Sequence, residues 1–183
     1  MNTTIKQDRI TLENLKVAEF ASRETLCFTA TVIFDGVAVG EADNEGRGGM
    51  TFIRAIGDKR ALLSEAEKFA KSLPPQLCPD LPPIDGKPFS FDITLDYLVD
   101  DLASKQHEER KLRTIYSRYK NKVMFIQDGK VFSVPKVKLD SLTDRPAFFA
   151  SLRKSCGPSI VILAELPPDE AFALWKKHIH ASN

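Results

Sequence analysis

Cys156 stands in "KSCGPS", two residues after Lys154, and a cation beside a thiol at a turn favours the nucleophilic thiolate. A thiol nucleophile also needs a base for its proton, and none of His107, His178 and His180 holds a recognisable sequence relation to it. Cys156 therefore reads as a packed thiol. Asp96 and Asp100 lie one helical turn apart with Asp101 beside them, a spacing at which two carboxylates share a face and act as acid and base. The same residues open an apolar-periodic segment, where the helix macrodipole favours negative charge whatever the function. His178 and His180 are two positions apart, so on a helix they point in different directions, and no third ligand completes a metal set. His107 is alone in a charged stretch and reads as a solvated side chain. Neither a catalytic constellation, a metal nor a cofactor is expected.

The loop "NEGRGGM", residues 44–50, carries glycines suited to cradling a phosphate. A cradle must end in a helix whose free amides face the anion, and a nucleotide loop adds a lysine followed by serine or threonine. Here the chain continues into "MTFI", which reads as extended, so the loop is expected to turn the chain and to leave Arg47 at its tip as a partner contact. The most pronounced segment is "KQHEERKLRTIYSRYKNK", residues 105–122. In it Lys105, Arg110, Lys111, Arg113, Arg118, Lys120 and Lys122 oppose only Glu108 and Glu109. Cations interleaved with Tyr116 and Tyr119 suit a phosphate backbone with stacked bases, or an acidic protein surface. The plain alternative is a solvated helix face whose tyrosines continue the apolar stripe into a core.

The elements that must position these residues follow from periodicity. Phe28, Ala30, Val32 and Phe34 alternate with Cys27, Thr29, Thr31 and Ile33, and Asp35-Gly36 supplies a tight turn into residues 37–42. An extended entry segment precedes this hairpin, and residues 50–56 add a third strand. Asp58 is expected to cap a helix through Leu62, Ala66 and Phe69 that stops at Pro74-Pro75. Residues 74–88, "PPQLCPDLPPIDGKP", hold six of the eleven prolines, a composition that opposes helix and ladder alike. Phe89, Phe91 and Ile93 then alternate as a short strand. Next comes a long helix, or two broken near "SKQHEE", and a second hairpin turned by Asp128-Gly129. A helix over residues 144–154 follows, then "SIVILAE" as a buried central strand and "PPDEAFALWKKHIH" as a closing helix. The expected class is α+β: antiparallel hairpins packed against helices, with halves 1–73 and 89–183 joined by a proline-rich connector over 74–88.

A formal net charge of +1 supplies no bulk attraction to nucleic acid or to an anionic membrane, so any such binding must be local. No apolar run is long enough for a membrane helix, the start of the chain is polar, and three scattered cysteines suit reduced thiols, so a cytoplasmic protein is expected.

Two resemblances extend this reading. "LKVAEFASRETLCFTATVIFDGVAVGEADNEGRGG", with "ILAELPPDEA", resembles a poorly characterised family of small proteins carried by bacteriophages, prophages and plasmids. That resemblance implies a host-interaction role, since such accessory proteins often bind and block host machinery, defence systems included. "FTATVIFDGVAVGEADNEGRGG" followed by "DKRALLSEAEKFA" is similar to the later part of a double-stranded RNA-binding domain, in which a glycine-containing turn and lysines at a helix start grip phosphates. Lys59 and Arg60 hold the comparable place. The chain departs from that module by inserting "MTFIRAIG" and by having no obvious first helix. The functional expectation is a non-enzymatic interaction protein of a phage or mobile element that binds and inhibits a host protein complex. The competing expectation is a nucleic-acid-binding module using residues 105–122 with Arg47, Lys59 and Arg60. A homodimer through an exposed hairpin edge is compatible with either.

Overall fold

Alternating apolar residues build an antiparallel sheet in order β1-β2-β3-β4 from β1 (Ile10–Val17), β2 (Cys27–Phe34), β3 (Val37–Glu45) and β4 (Phe52–Ala55). In the computed structural model, residues 5–78, 81–83 and 86–179 are described, and they form an α+β fold. Asp35 and Gly36 both take positive φ, 48° and 77°, the backbone that a two-residue turn needs to match the twist of its strands. The inner face of the sheet carries Ile10, Leu12, Phe28, Ala30 and Val32. It is covered by Leu63, Ala66 and Ala70 of α1 (Arg60–Ser72) and by Leu95, Leu98, Val99 and Ala103 of α2 (Leu95–Arg118). Burying each large aliphatic side chain of this kind contributes about 1.5–3 kcal/mol before the cost of ordering it.

Several expectations are corrected here. The position before α1 is Lys59, which makes no side-chain cap, and Asp58 is exposed and does not cap the helix. Residues 74–88 contribute one short ladder strand: β5 (Gln76–Leu77) pairs with β6 (Ser90–Phe91), because the two residues after Pro74-Pro75 keep their own amides. The short strand expected at Phe89 to Ile93 is this β6. The chain divides into compact units Met1–Glu108 and Glu109–Asn183, so the division falls inside α2, whereas residues 74–88 lie within the first unit. The cause is that Ile93, Leu95, Leu98 and Val99, beyond the prolines, are spent on the first core. Of the two alternatives for the following segment, one long helix or two broken near "SKQHEE", the structure has the first. That stretch holds neither glycine nor proline, and pairs at one-turn spacing, Lys105 with Asp101 at 2.6 Å and Arg113 with Glu109 at 3.3 Å, support it.

The second unit has a sheet in order β8-β7-β9, formed by β7 (Lys122–Gln127), β8 (Lys130–Lys138) and β9 (Val161–Ile162). Its hairpin turns at Asp128 and Gly129, with φ of 49° and 74°. The central strand is β7, and "SIVILAE" supplies only the two-residue edge β9 before a 3-10 turn over Leu163–Glu165. The strand buried on both sides is therefore β7. Val123 and Phe125 pack with Phe149, Ile160 and Ile162, while Met124 and Ile126 pack with Leu163, Phe172 and Trp175. Two helices serve these faces. In α3 (Arg145–Cys156) the Asp144 carboxylate accepts from the Ala147 amide at 2.9 Å, and Gly157 ends the helix at φ 109°. In α4 (Pro168–Ile179) acids open the helix and cations close it, and His178 Nδ1 donates to the Gly129 carbonyl at 2.9 Å. His180 lies outside the described residues.

Candidate partner-binding site

Of the residues singled out for chemistry, Asp100, Asp101, Cys156, His107 and His178 are held in structural contacts. Asp100 accepts a hydrogen bond from Thr51, and burial pushes its carboxyl above the usual range against that bond; Asp101 pairs with Lys105. Cys156 packs beside the apolar cluster around Phe149, and its carbonyl accepts from Gln127 Nε2 at 2.8 Å. His107 is not solvated: it is largely buried, with Nε2 2.9 Å from Glu19 Oε1. Among the described residues no group of His, Cys, Asp and Glu is placed to hold a metal ion.

The glycine loop is fixed from within. Asn44, 3% exposed, accepts from Thr25 Oγ1 at 2.9 Å and from the Gly46 amide at 2.8 Å, and donates to the Gly49 carbonyl and to Thr51 Oγ1. Gly46 and Gly48 have φ of 78° and 83°, and a Cβ on Gly46 would lie 2.5 Å from the Ala21 carbonyl oxygen. Arg47 is exposed on this loop. Lys59 reaches back to donate to the Ala38 carbonyl at 3.0 Å, and Arg60 is exposed at the start of α1.

These three cations belong to the first unit, and Arg110, Lys111, Arg113, Arg118, Lys120 and Lys122 to the second. The latter six are all exposed. Their surroundings differ. Arg113 is partly neutralised, with Nε 3.3 Å from Glu109 and Nη1 3.4 Å from Asp169, and its guanidinium lies 4.4 Å over the Phe172 ring. Lys176 and Arg113 together hold the Glu109 carboxyl below its ordinary range, the Lys176 hydrogen bond first. Arg118 and Lys120 make no ion pair among the described residues. Tyr116 is committed to the core, its ring 5.2 Å from Trp175 and 5.5 Å from Phe172, and burial raises its hydroxyl pKa. Tyr119 is 36% exposed, with Lys122 Nζ 4.8 Å over its ring.

Arg113, Tyr116, Ser117 and Lys120 recur at helical spacing and form one wall of a groove of about 520 Å³. Leu139 and Leu166, both half-buried, contribute apolar surface over the buried Leu163 and Phe172, and Arg145 also lines the groove. Arg145 is braced by its Nε bond to the Leu139 carbonyl at 3.2 Å and lies 3.8 Å from Asp140. Arg113, Lys120 and Arg145 thus line an apolar groove in which Asp169 is the acid. Such a lining suits a ligand that is anionic at its edge and apolar at its centre. Arg145, Leu139 and the residues from 163 to 172 were missed as site residues, because only tertiary folding brings them beside α2.

No protein-family model matches the chain, and comparison with curated proteins and with solved structures finds no match. Among the described residues no helix is long and apolar enough to cross a membrane.

Proposed function

We propose that the protein is a non-enzymatic interaction protein that holds an acidic segment of a protein partner in the groove of its second unit. The observation that carries this reading is the coexistence of Arg113, Lys120 and Arg145 with the half-buried apolar side chains of Leu139 and Leu166 in one groove. A carboxylate-bearing segment with one apolar anchor answers both features, whereas a bare phosphate backbone answers only the first. Following the resemblance to phage- and plasmid-borne proteins, the partner is a host protein complex, and occupying its acidic segment inhibits it. A nucleic-acid reading has one observation in its favour: Tyr119 is open to solvent beside Arg118, Lys120 and Lys122, as base stacking requires.

The test is affinity capture of the tagged protein from a bacterial host, with and without nuclease, beside a variant carrying Arg113→Glu, Lys120→Glu and Arg145→Glu. The expected result is a captured protein complex that survives nuclease and is lost in the variant. Capture abolished by nuclease favours the nucleic-acid reading, and capture that the variant leaves intact removes the groove from either.

A further inference from the structure

A second surface, in the first unit, has a different chemistry. Strand β4 ends its sheet, so one side of its backbone faces no neighbouring strand among the described residues. Which groups are open follows from the register. The Ile56 amide donates to the Val39 carbonyl at 3.1 Å, and the ladder runs Gly40 to Ala55, Glu41 to Arg54, Ala42 to Ile53. Antiparallel ladders alternate, so Arg54, two residues from Ile56, also turns its amide and carbonyl toward β3, and Ile53 and Ala55 turn theirs outward. No described residue bonds those outward groups. Unpaired edge groups are a template for another strand unless something blunts them.

β4 is short, four residues, but it has no proline, and its charged residue, Arg54, is engaged with Asp43 at 2.6 Å. The edge is also not a flat rim. Alongside it runs a groove of about 520 Å³ between Ile53 and Ala55 on one side and Arg60, Leu63, Ser64 and Glu67 of α1 on the other. Gly40 is the reason the walls come so close, since a Cβ there would lie 3.0 Å from Ile53 Cγ2 and 3.4 Å from Leu63 Cδ1. The helix face is graded: Arg60, exposed and without an ion pair among the described residues, stands at the end near Ala55 and Gly57, and Glu67 stands two turns on.

We infer that the open edge of β4 takes up an extended peptide from a partner protein as a fifth strand, lying in the groove against α1. The outward amides and carbonyls of Ile53 and Ala55 supply main-chain affinity for any extended segment, and the side chains supply selection. Alternate residues of the added strand point to the same side as the half-buried Ile53 and Ala55 and are apolar. An acidic residue is placed at the Arg60 end. This surface is independent of the groove in the second unit, and neither requires the other.

The test uses the full chain and a displayed library of random peptides. Selected peptides are expected to carry an acid next to alternating apolar residues, and their binding is expected to slow amide exchange at Ile53 and Ala55. Ala55→Pro removes one outward donor while leaving the inward bonds of Arg54 to β3, and proline is tolerated at such an edge position. It should weaken the selected peptides about tenfold or more, as should Arg60→Glu, each losing a main-chain or charged hydrogen bond at the site. The inference is overturned if no peptide is enriched, if bound peptides leave exchange at Ile53 and Ala55 unchanged, or if a second copy of the chain occupies the edge at working concentration. Should Ala55→Pro fail to fold, the exchange measurement on the unaltered protein decides the matter by itself.

Discussion

Asn44 uses every hydrogen-bonding position of its amide, two as acceptor and two as donor, and Thr51 passes the network on to Asp100. The sequence shows that 44–50 turns the chain instead of cradling an anion, because no helix follows the glycines. It does not show what fixes the turn, since Asp100 meets Thr51 only when α2 crosses the sheet. The burial of Asp100 has a consequence for stability. A carboxyl whose pKa is raised in the fold binds more protons folded than unfolded, so stability falls as pH rises from the unfolded pKa of about 3.9 through the raised folded value. Asp100→Asn keeps an oxygen to accept from Thr51 and removes the ionisation. Denaturation of both proteins across this range should give a difference curve in which the variant gains relative stability as pH rises and then holds that gain through neutrality. A difference curve that is flat throughout would show that the burial of Asp100 carries no ionisation penalty.

At the scale of elements, the two Asp-Gly hairpins were the most legible features, because a two-residue turn with positive φ at both positions restricts the residue types steeply. The central strand was less so. "SIVILAE" is the more continuous apolar run in the sequence, yet "VMFI" became the strand packed on both faces. Periodicity cannot distinguish these, and the chain leaves β9 for a 3-10 turn over Leu163–Glu165 before Pro167-Pro168 open the last helix. Glycines separate in the same way into those needed for backbone shape and those needed for space. Gly36 has φ 77° and open surroundings, so Gly36→Ala should cost about 1–2 kcal/mol for the left-handed backbone alone. Gly46 adds a collision with Ala21 and Cys27, so Gly46→Ala should cost more than Gly36→Ala, and urea midpoints of the two variants check the order. The sequence gives these glycines no distinguishing mark, since the crowding around Gly46 comes from Ala21, Ser22 and Cys27, which only folding brings beside it.

For the whole molecule, class was readable and division was not. Mixed hairpins and helices without regular β-α-β alternation give α+β directly. The proline-rich stretch marks a composition change, but the contacts divide inside a helix whose sequence is uninterrupted, because the apolar residues beyond the prolines complete the first core. The basic segment was legible as charge, and its apolar counterpart was not, because the residues that face it come from segments 139–145 and 163–172. With a formal net charge of +1 the chain has almost no field beyond a Debye length of about 8–10 Å, so attraction acts only near the groove. An acidic protein segment gripped by Arg113, Lys120 and Arg145 at an apolar lining should therefore lose less than about tenfold in affinity between about 50 and about 200 mM salt, whereas a nucleic acid making six to ten phosphate contacts would lose about 10³–10⁵. Titrating a purified partner across that range measures the difference. Replacing Leu166, a half-buried residue of the lining, by alanine adds a second axis: removing this apolar contact should weaken an anchored protein segment by about 1–2 kcal/mol while leaving the salt slope unchanged. A steep slope that flattens with Lys120→Glu would instead assign the cations to phosphates, and the partner would be a nucleic acid.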